Sequence, residues 1–140
     1  MYSKILVGVD IDEPGSCAKP ISTALALADC FGAQVALAYV VPEQVLVLQA
    51  QWSAPSVRSI MDHARTRLMK IARENCAGRQ VQELVSSGPV YAGLIEAGER
   101  FAADLIVLAS HRPEMKDYLL GANASRVVRH AKCSVMVVRG

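Results

Sequence analysis

The sequence predicts an α/β fold: a single doubly wound, Rossmann-like parallel sheet of five strands with about four helices, built by residues 1–140 as one domain. Three observations predict it. Five short runs read as strands, and four of them are almost continuously apolar, as a parallel sheet covered by helices on both faces requires. The segments between them repeat apolar residues at helical spacing, which is the alternation of a sheet with right-handed crossovers. The chain has 140 residues, 52% apolar and 20% charged, which is enough for one continuous core and too apolar for disorder. With only 5% aromatic residues, that core must be made of Val, Leu, Ile and Ala.

The first strand is predicted at residues 4–9 and the second at 35–41. Between them Ile21, Ala24, Leu25 and Ala28 fall at i, i+3, i+4 and i+7, with Gly32 as a stop signal. Residues 42–55 have no clear periodicity and read as a mobile or capping loop, with a binding lid using Trp52 as the alternative. Val57, Ile60, Met61, Ala64, Leu68 and Ile71 make a long apolar stripe, with Arg58, Asp62 and Arg65 on its solvated side and Gly78 as its end. The third strand, 81–86, carries Gln82 and Glu83 and so belongs at a sheet edge. Pro89 suits a first helical turn ahead of Leu94, Ile95 and Phe101. The fourth strand is 104–109, the last helix starts near Ala122 and includes Val127 and Val128, and the last strand is 134–138.

Composition narrows the function. A net charge of +2 with scattered basic residues argues against nucleic acid, which calls for a clustered basic face. The longest apolar stretch, 35–41, is far short of a membrane span, which needs roughly 20 residues. Cys17, Cys30, Cys76 and Cys133 form no CxxC pair and fit no zinc or compact disulfide spacing, so they read as reduced thiols. The chain opens Met-Tyr-Ser-Lys and runs straight into a strand. The expectation is a cytoplasmic protein.

Ligands of a doubly wound sheet bind beyond the carboxyl ends of its strands, where strand order reverses. Two strand ends carry chemistry. The first leads through Val9 into Asp10; the fourth leads through Leu108 and Ala109 into Ser110, His111, Arg112 and Pro113, with Gly121, Ala122, Asn123, Ala124 and Ser125 following. A carboxylate on one lip and a turn feeding a helix N-terminus on the other suit a nucleoside phosphate. Asp10 would accept ribose hydroxyls, while helix N–H groups and Arg112 would receive phosphate. Neither GxGxxG nor a Walker loop is present.

The opening KILVGVD, the stretch DLIVLASHRP and the closing YLLGANASRVVRHAKCSVMVVR resemble the universal stress protein family over the whole chain. They are closest to the bacterial branch with SHRP where the ATP-binding branch has GSHG. The resemblance implies strand order 3-2-1-4-5, a crevice for ATP or AMP between strands one and four, and dimers paired through their last strands. It places the adenine ring at the backbone of Val40 and the ribose at Asp10. The family's phosphate pattern, G-x2-G-x9-G-[ST], is altered: Ala109 and Arg112 replace its first two glycines, and Gly121 matches the third after a one-residue shortening. Ala122 and Ala124 stand where hydroxyls are expected. The base and ribose half is therefore retained, and the phosphate half is rebuilt around Arg112, with Asn123 or Ser125 contributing.

Each of these residues also has a plainer reading. Asp10 can cap its own loop through backbone N–H groups. Arg112 can pair with Glu114 or Asp117 on the surface. Gly121 can serve backbone geometry alone, and His111 can make a loop hydrogen bond, since no nucleophile or second acid accompanies it. Arg126, Arg129 and His130 read as the solvated face of the last helix, and Cys133 as an apolar filler. No carboxylate pair suited to Mg²⁺ is evident, and enzymatic activity beyond weak ATP hydrolysis is not expected. Val135, Met136, Val137 and Val138 make a flat apolar edge that pairing across a two-fold axis would cover. The expected assembly is a homodimer, with a tetramer as the larger alternative. The two functional readings are a nucleotide-binding stress-response regulator and a nucleotide-free dimeric interaction module with a degenerate pocket.

Overall fold

Alternation of side chains along each strand decides which residues meet which layer of helices. In the computed structural model, which describes residues 1–52, 56–110 and 121–140, the chain runs β1 (Lys4–Gly8), α1 (Ala18–Phe31), β2 (Gln34–Pro42), α2 (Glu43–Trp52), α3 (Val57–Asn75), β3 (Gln82–Gly88), α4 (Val90–Phe101), β4 (Leu105–Ala109), α5 (Ala122–His130) and β5 (Ser134–Val138). Ile5 and Val7 of β1, Leu37 and Tyr39 of β2, and Leu105 and Val107 of β4 pack against Ile21 and Ala24 of α1 and Ala64 and Leu68 of α3. The intervening Leu6, Ala38, Val40, Ile106 and Leu108 pack against Leu94 and Phe101 of α4 and Val127 of α5.

All strand pairs are parallel, in the order β3-β2-β1-β4-β5. This is the predicted topology, with the polar third strand at one edge. The chain steps from β1 outward through β2 to β3, then crosses back to β4 on the far side of β1. Right-handed crossovers in opposite directions put their helices on opposite faces. Hence α1 and α3 cover one face, α4 and α5 the other, and the layers part at the carboxyl ends of β1 and β4.

On the α4 face, β2 presents only Ala36, Ala38 and Val40, and α4 comes close enough that a Cβ on Gly93 would lie 2.7 Å from Val40 Cγ2. Gly93 is therefore required by close approach. Gly32 ends α1 in the left-handed region (φ 67°), the common glycine stop. The stripe of α3 is capped by Ser56, whose hydroxyl accepts from the Ser59 amide at 3.2 Å.

One predicted loop is a helix. Residues 43–52 form α2, giving five α-helices among the described residues instead of about four. Glu43 in its first turn favours helix, and Glu, Gln, Leu and Ala are good helix formers. The signal was hidden because the run Val45-Leu46-Val47-Leu48 winds around the helix. Val45 and Leu46 pack on the core, whereas Val47 and Leu48 are 57% and 56% exposed. A short turn, Pro14–Ser16, precedes α1. The side chain of Trp52 lies outside the described residues, so the lid alternative has no structural counterpart to compare.

At the far edge β5 pairs with β4 alone among the described strands. Val135, Met136, Val137 and Val138 are half-buried along it. No helix among the described residues is long and apolar enough to cross a membrane.

Candidate functional site

The parting of the layers opens a crevice of about 380 Å³ at the carboxyl ends of β1, β2 and β4. That size is within the range of small-molecule sites. Of the residues singled out in the sequence, Val9, Asp10, Val40, Leu108, Ala109, Gly121, Ala122 and Asn123 all line it. Ser125 sits a turn into α5, its amide donating to the Gly121 carbonyl at 2.9 Å, and is not part of the lining. His111 and Arg112 lie outside the described residues.

The floor is apolar. Val9 is held by its amide to the Ala38 carbonyl at 2.9 Å, and Val40, Leu94 and Leu108 are buried. On one side the chain after β1 turns back on itself. The Asp12 amide donates to Asp10 Oδ1 at 3.0 Å, and the Glu13 amide to the Asp10 carbonyl at 3.2 Å. The Cys17 thiol also donates to that carbonyl, at 3.4 Å. Thus Asp10 does cap its own loop, as the plainer reading has it, while its residue also faces the crevice. Burial pushes the Cys17 thiol above its ordinary pKa, so it is a protonated donor and not a thiolate.

The other side is the start of α5. Ser110, only 3% exposed, receives the Gly121 amide on its carbonyl at 2.9 Å and donates its own amide to Val138 at 3.0 Å. These two bonds tie the helix start to the sheet. Gly121 caps α5 without a side chain, and helix geometry leaves the N–H groups of Ala122, Asn123 and Ala124 without an acceptor inside the helix. All three residues line the crevice. Carboxylates thus stand on one lip and the positive end of a helix on the other.

Sequence reading missed Tyr39, Cys17, Asp12, Glu13, Val90 and Leu94 in this lining. The acidic pair Asp12 and Glu13, just after Asp10, carried a usable signal; the others depend on how α1 and α4 dock. Tyr39 is 6% exposed. Burial, then the charges of Asp12 and Asp10, push its phenol up to about 12 against the opposing pull of Arg67. Among the described residues, no three or more His, Cys, Asp or Glu side chains gather as a metal site.

The description of the Universal stress protein family matches residues 1–139. Universal stress protein G of Salmonella typhimurium is 34% identical over 144 residues, covering 99% of this chain and all of that protein. Universal stress protein A homolog 2 of Coxiella burnetii is 29% identical, over 99% of this chain and 95% of its own. Among solved structures, universal stress protein UspA from Lactobacillus plantarum superposes with a TM-score of 0.72 at 21% identity, over 99% of this chain and 98% of that one. A universal stress protein in complex with cAMP does so with a TM-score of 0.71 at 21% identity, over 98% and 97%.

Proposed function

The chain belongs to the universal stress protein family, and from that premise we propose that it is a non-catalytic, cytoplasmic stress-response regulator that binds an adenine nucleotide in this crevice. One observation carries the reading: Asp10 and the start of α5 line a single crevice with the apolar Val9, Val40 and Leu108 at the topological switch point. The aliphatic floor of Val9, Val40 and Leu108 suits a purine ring. The carboxylate suits ribose hydroxyls, and the N–H groups of Ala122 and Asn123 suit phosphate oxygens. Arg112, which precedes Gly121 in the sequence, would on this reading offset the hydroxyls replaced by Ala122 and Ala124. A neighbouring fold in complex with cAMP supports the ligand class. Among AMP, ADP and ATP, the shared adenosine is what this lining would recognise. Isothermal titration with each tests it, and absence of heat at high micromolar ligand would overturn it.

A second reading is an interaction module whose crevice stays empty. It is favoured by the loop cap that already engages Asp10 Oδ1 and by alanines at 109, 122 and 124. Nucleotide that co-purifies with the protein, seen near 260 nm after denaturation, would eliminate it. In either case the assembly proposed is a homodimer through β5, whose outer edge offers half-buried Val135 and Val137 to a second copy. Val137→Lys is expected to shift the mass measured by light scattering from dimer to monomer.

A further inference from the structure

We infer that Arg67 of α3 is the positioning residue of the crevice, setting the carboxylate of Asp10 from outside the site; this rests on the nucleotide reading above. Arg67 does not line the crevice. Its guanidinium reaches the loop after β1 with two nitrogens. Nη1 meets Asp12 Oδ1 at 3.1 Å, and Nη2 donates to the Ile11 carbonyl at 2.7 Å. The fork therefore grips two consecutive residues, one by its side chain and one by its backbone. Because the guanidinium is planar and its donors are fixed, two such contacts set a direction and not merely a distance.

That direction bears on one of the contacts of Asp10. The chain orientation at Ile11 and Asp12 aims the Asp12 amide back at Asp10 Oδ1, 3.0 Å away. The Arg67–Asp12 ion pair is solvent-exposed on both partners, and such a pair by itself contributes little to stability. Its consequence lies in binding: a loop already ordered around its carboxylate does not have to be ordered when the ligand arrives. The anchoring Leu68 and Ala64 of α3 are buried in the core, so the fork projects from a rigid base.

The test is titration of AMP into wild type, Arg67→Met, Arg67→Lys, Asp10→Asn and the Arg67→Met/Asp10→Asn double variant, with thermal melts alongside. Arg67→Met is expected to bind AMP about tenfold more weakly, and Arg67→Lys to recover part of that loss. In the Asp10→Asn background the Arg67→Met change should lose most of its effect, because residues acting through one another are not additive. A purely structural arginine would instead lower both single and double variants independently. Equal AMP affinity for wild type and Arg67→Met, or full additivity with Asp10→Asn, overturns the inference and leaves the nucleotide reading standing. Folded wild type that binds no AMP overturns that reading and the inference together. Should Arg67→Met fail to fold, Arg67→Lys decides alone, since it keeps the charge facing Asp12 without the fork: wild-type affinity overturns the inference, weaker binding supports it.

Discussion

Two aspartates, Asp104 and Asp10, stand at opposite ends of the same pair of strands, and they are used differently. Asp104 lies just before β4 and accepts the amides of Ser3 at 2.8 Å and Lys4 at 3.0 Å. Burial alone would raise its pKa. The backbone N–H donors from Ser3 and Lys4, aided by the N-terminal charge, outweigh that and hold the carboxyl below its ordinary value. At this end the carboxylate staples β1 to β4. At the other end the helical layers part, and Asp10 stands on the lip of the crevice, held by its own loop. The contrast is one of topology: reversal of the strand order opens space only where the crossovers leave in opposite directions.

That contrast is testable by exchanging which property each residue affects. The largest effect should come from Asp10→Asn, which on the proposed reading removes charge-assisted bonds to ribose. A weakening of about ten- to a hundredfold in AMP affinity is expected, equivalent to about 1.5–3 kcal/mol. The thermal midpoint should barely move. Unchanged titration would remove Asp10 from the site. Next, Asp104→Ala should leave AMP affinity alone and cost about 1–3 kcal/mol of stability at neutral pH, measured by urea unfolding.

The sign of its pH dependence follows from the depressed pKa. The stabilisation is fully present above the ordinary carboxylate value of 3.8 and is lost as pH falls through the lower folded value. Wild type and Asp104→Ala should therefore differ most near neutrality and converge in strong acid. A constant gap across that range would show that Asp104 contributes by packing and not by its charge.

Much of this contrast was readable from the chain. Strand ends are legible because buried parallel strands are apolar runs that stop abruptly, so Val9, Asp10, Leu108 and Ala109 could be placed at the carboxyl ends. The turn into α5 was visible in Gly121 and the helical spacing after it. The strand order was not present in periodicity and came from resemblance to a family. Other features were hidden for physical reasons. α2 was missed because Val47 and Leu48 face solvent and break the amphipathic pattern. The Asp104 staple and the Arg67 fork join residues about 100 and 55 positions apart, and no local spacing encodes such pairs. Tyr39 packs with the α1 and α3 layer, whereas Val40, singled out only by family resemblance, packs with α4, so no sequence signal tied Tyr39 to the crevice.

Tyr39 provides the smallest effect and the sharpest check on the electrostatics of the crevice end. Its phenol is held neutral by burial and by the carboxylates of Asp12 and Asp10, with a folded pKa of about 12 against an ordinary 10. The folded protein therefore keeps a proton there that the unfolded chain releases. Stability from this source is complete below pH 10 and declines as pH rises towards 12. Tyr39→Phe cannot titrate, so its urea midpoint should fall less than that of wild type across this window, while the two run parallel through the acid range that governs Asp104. Parallel curves in alkali as well would mean that neither burial nor the carboxylates of Asp12 and Asp10 hold the phenol above its ordinary value. The two ends of the sheet would then differ in hydrogen bonding alone.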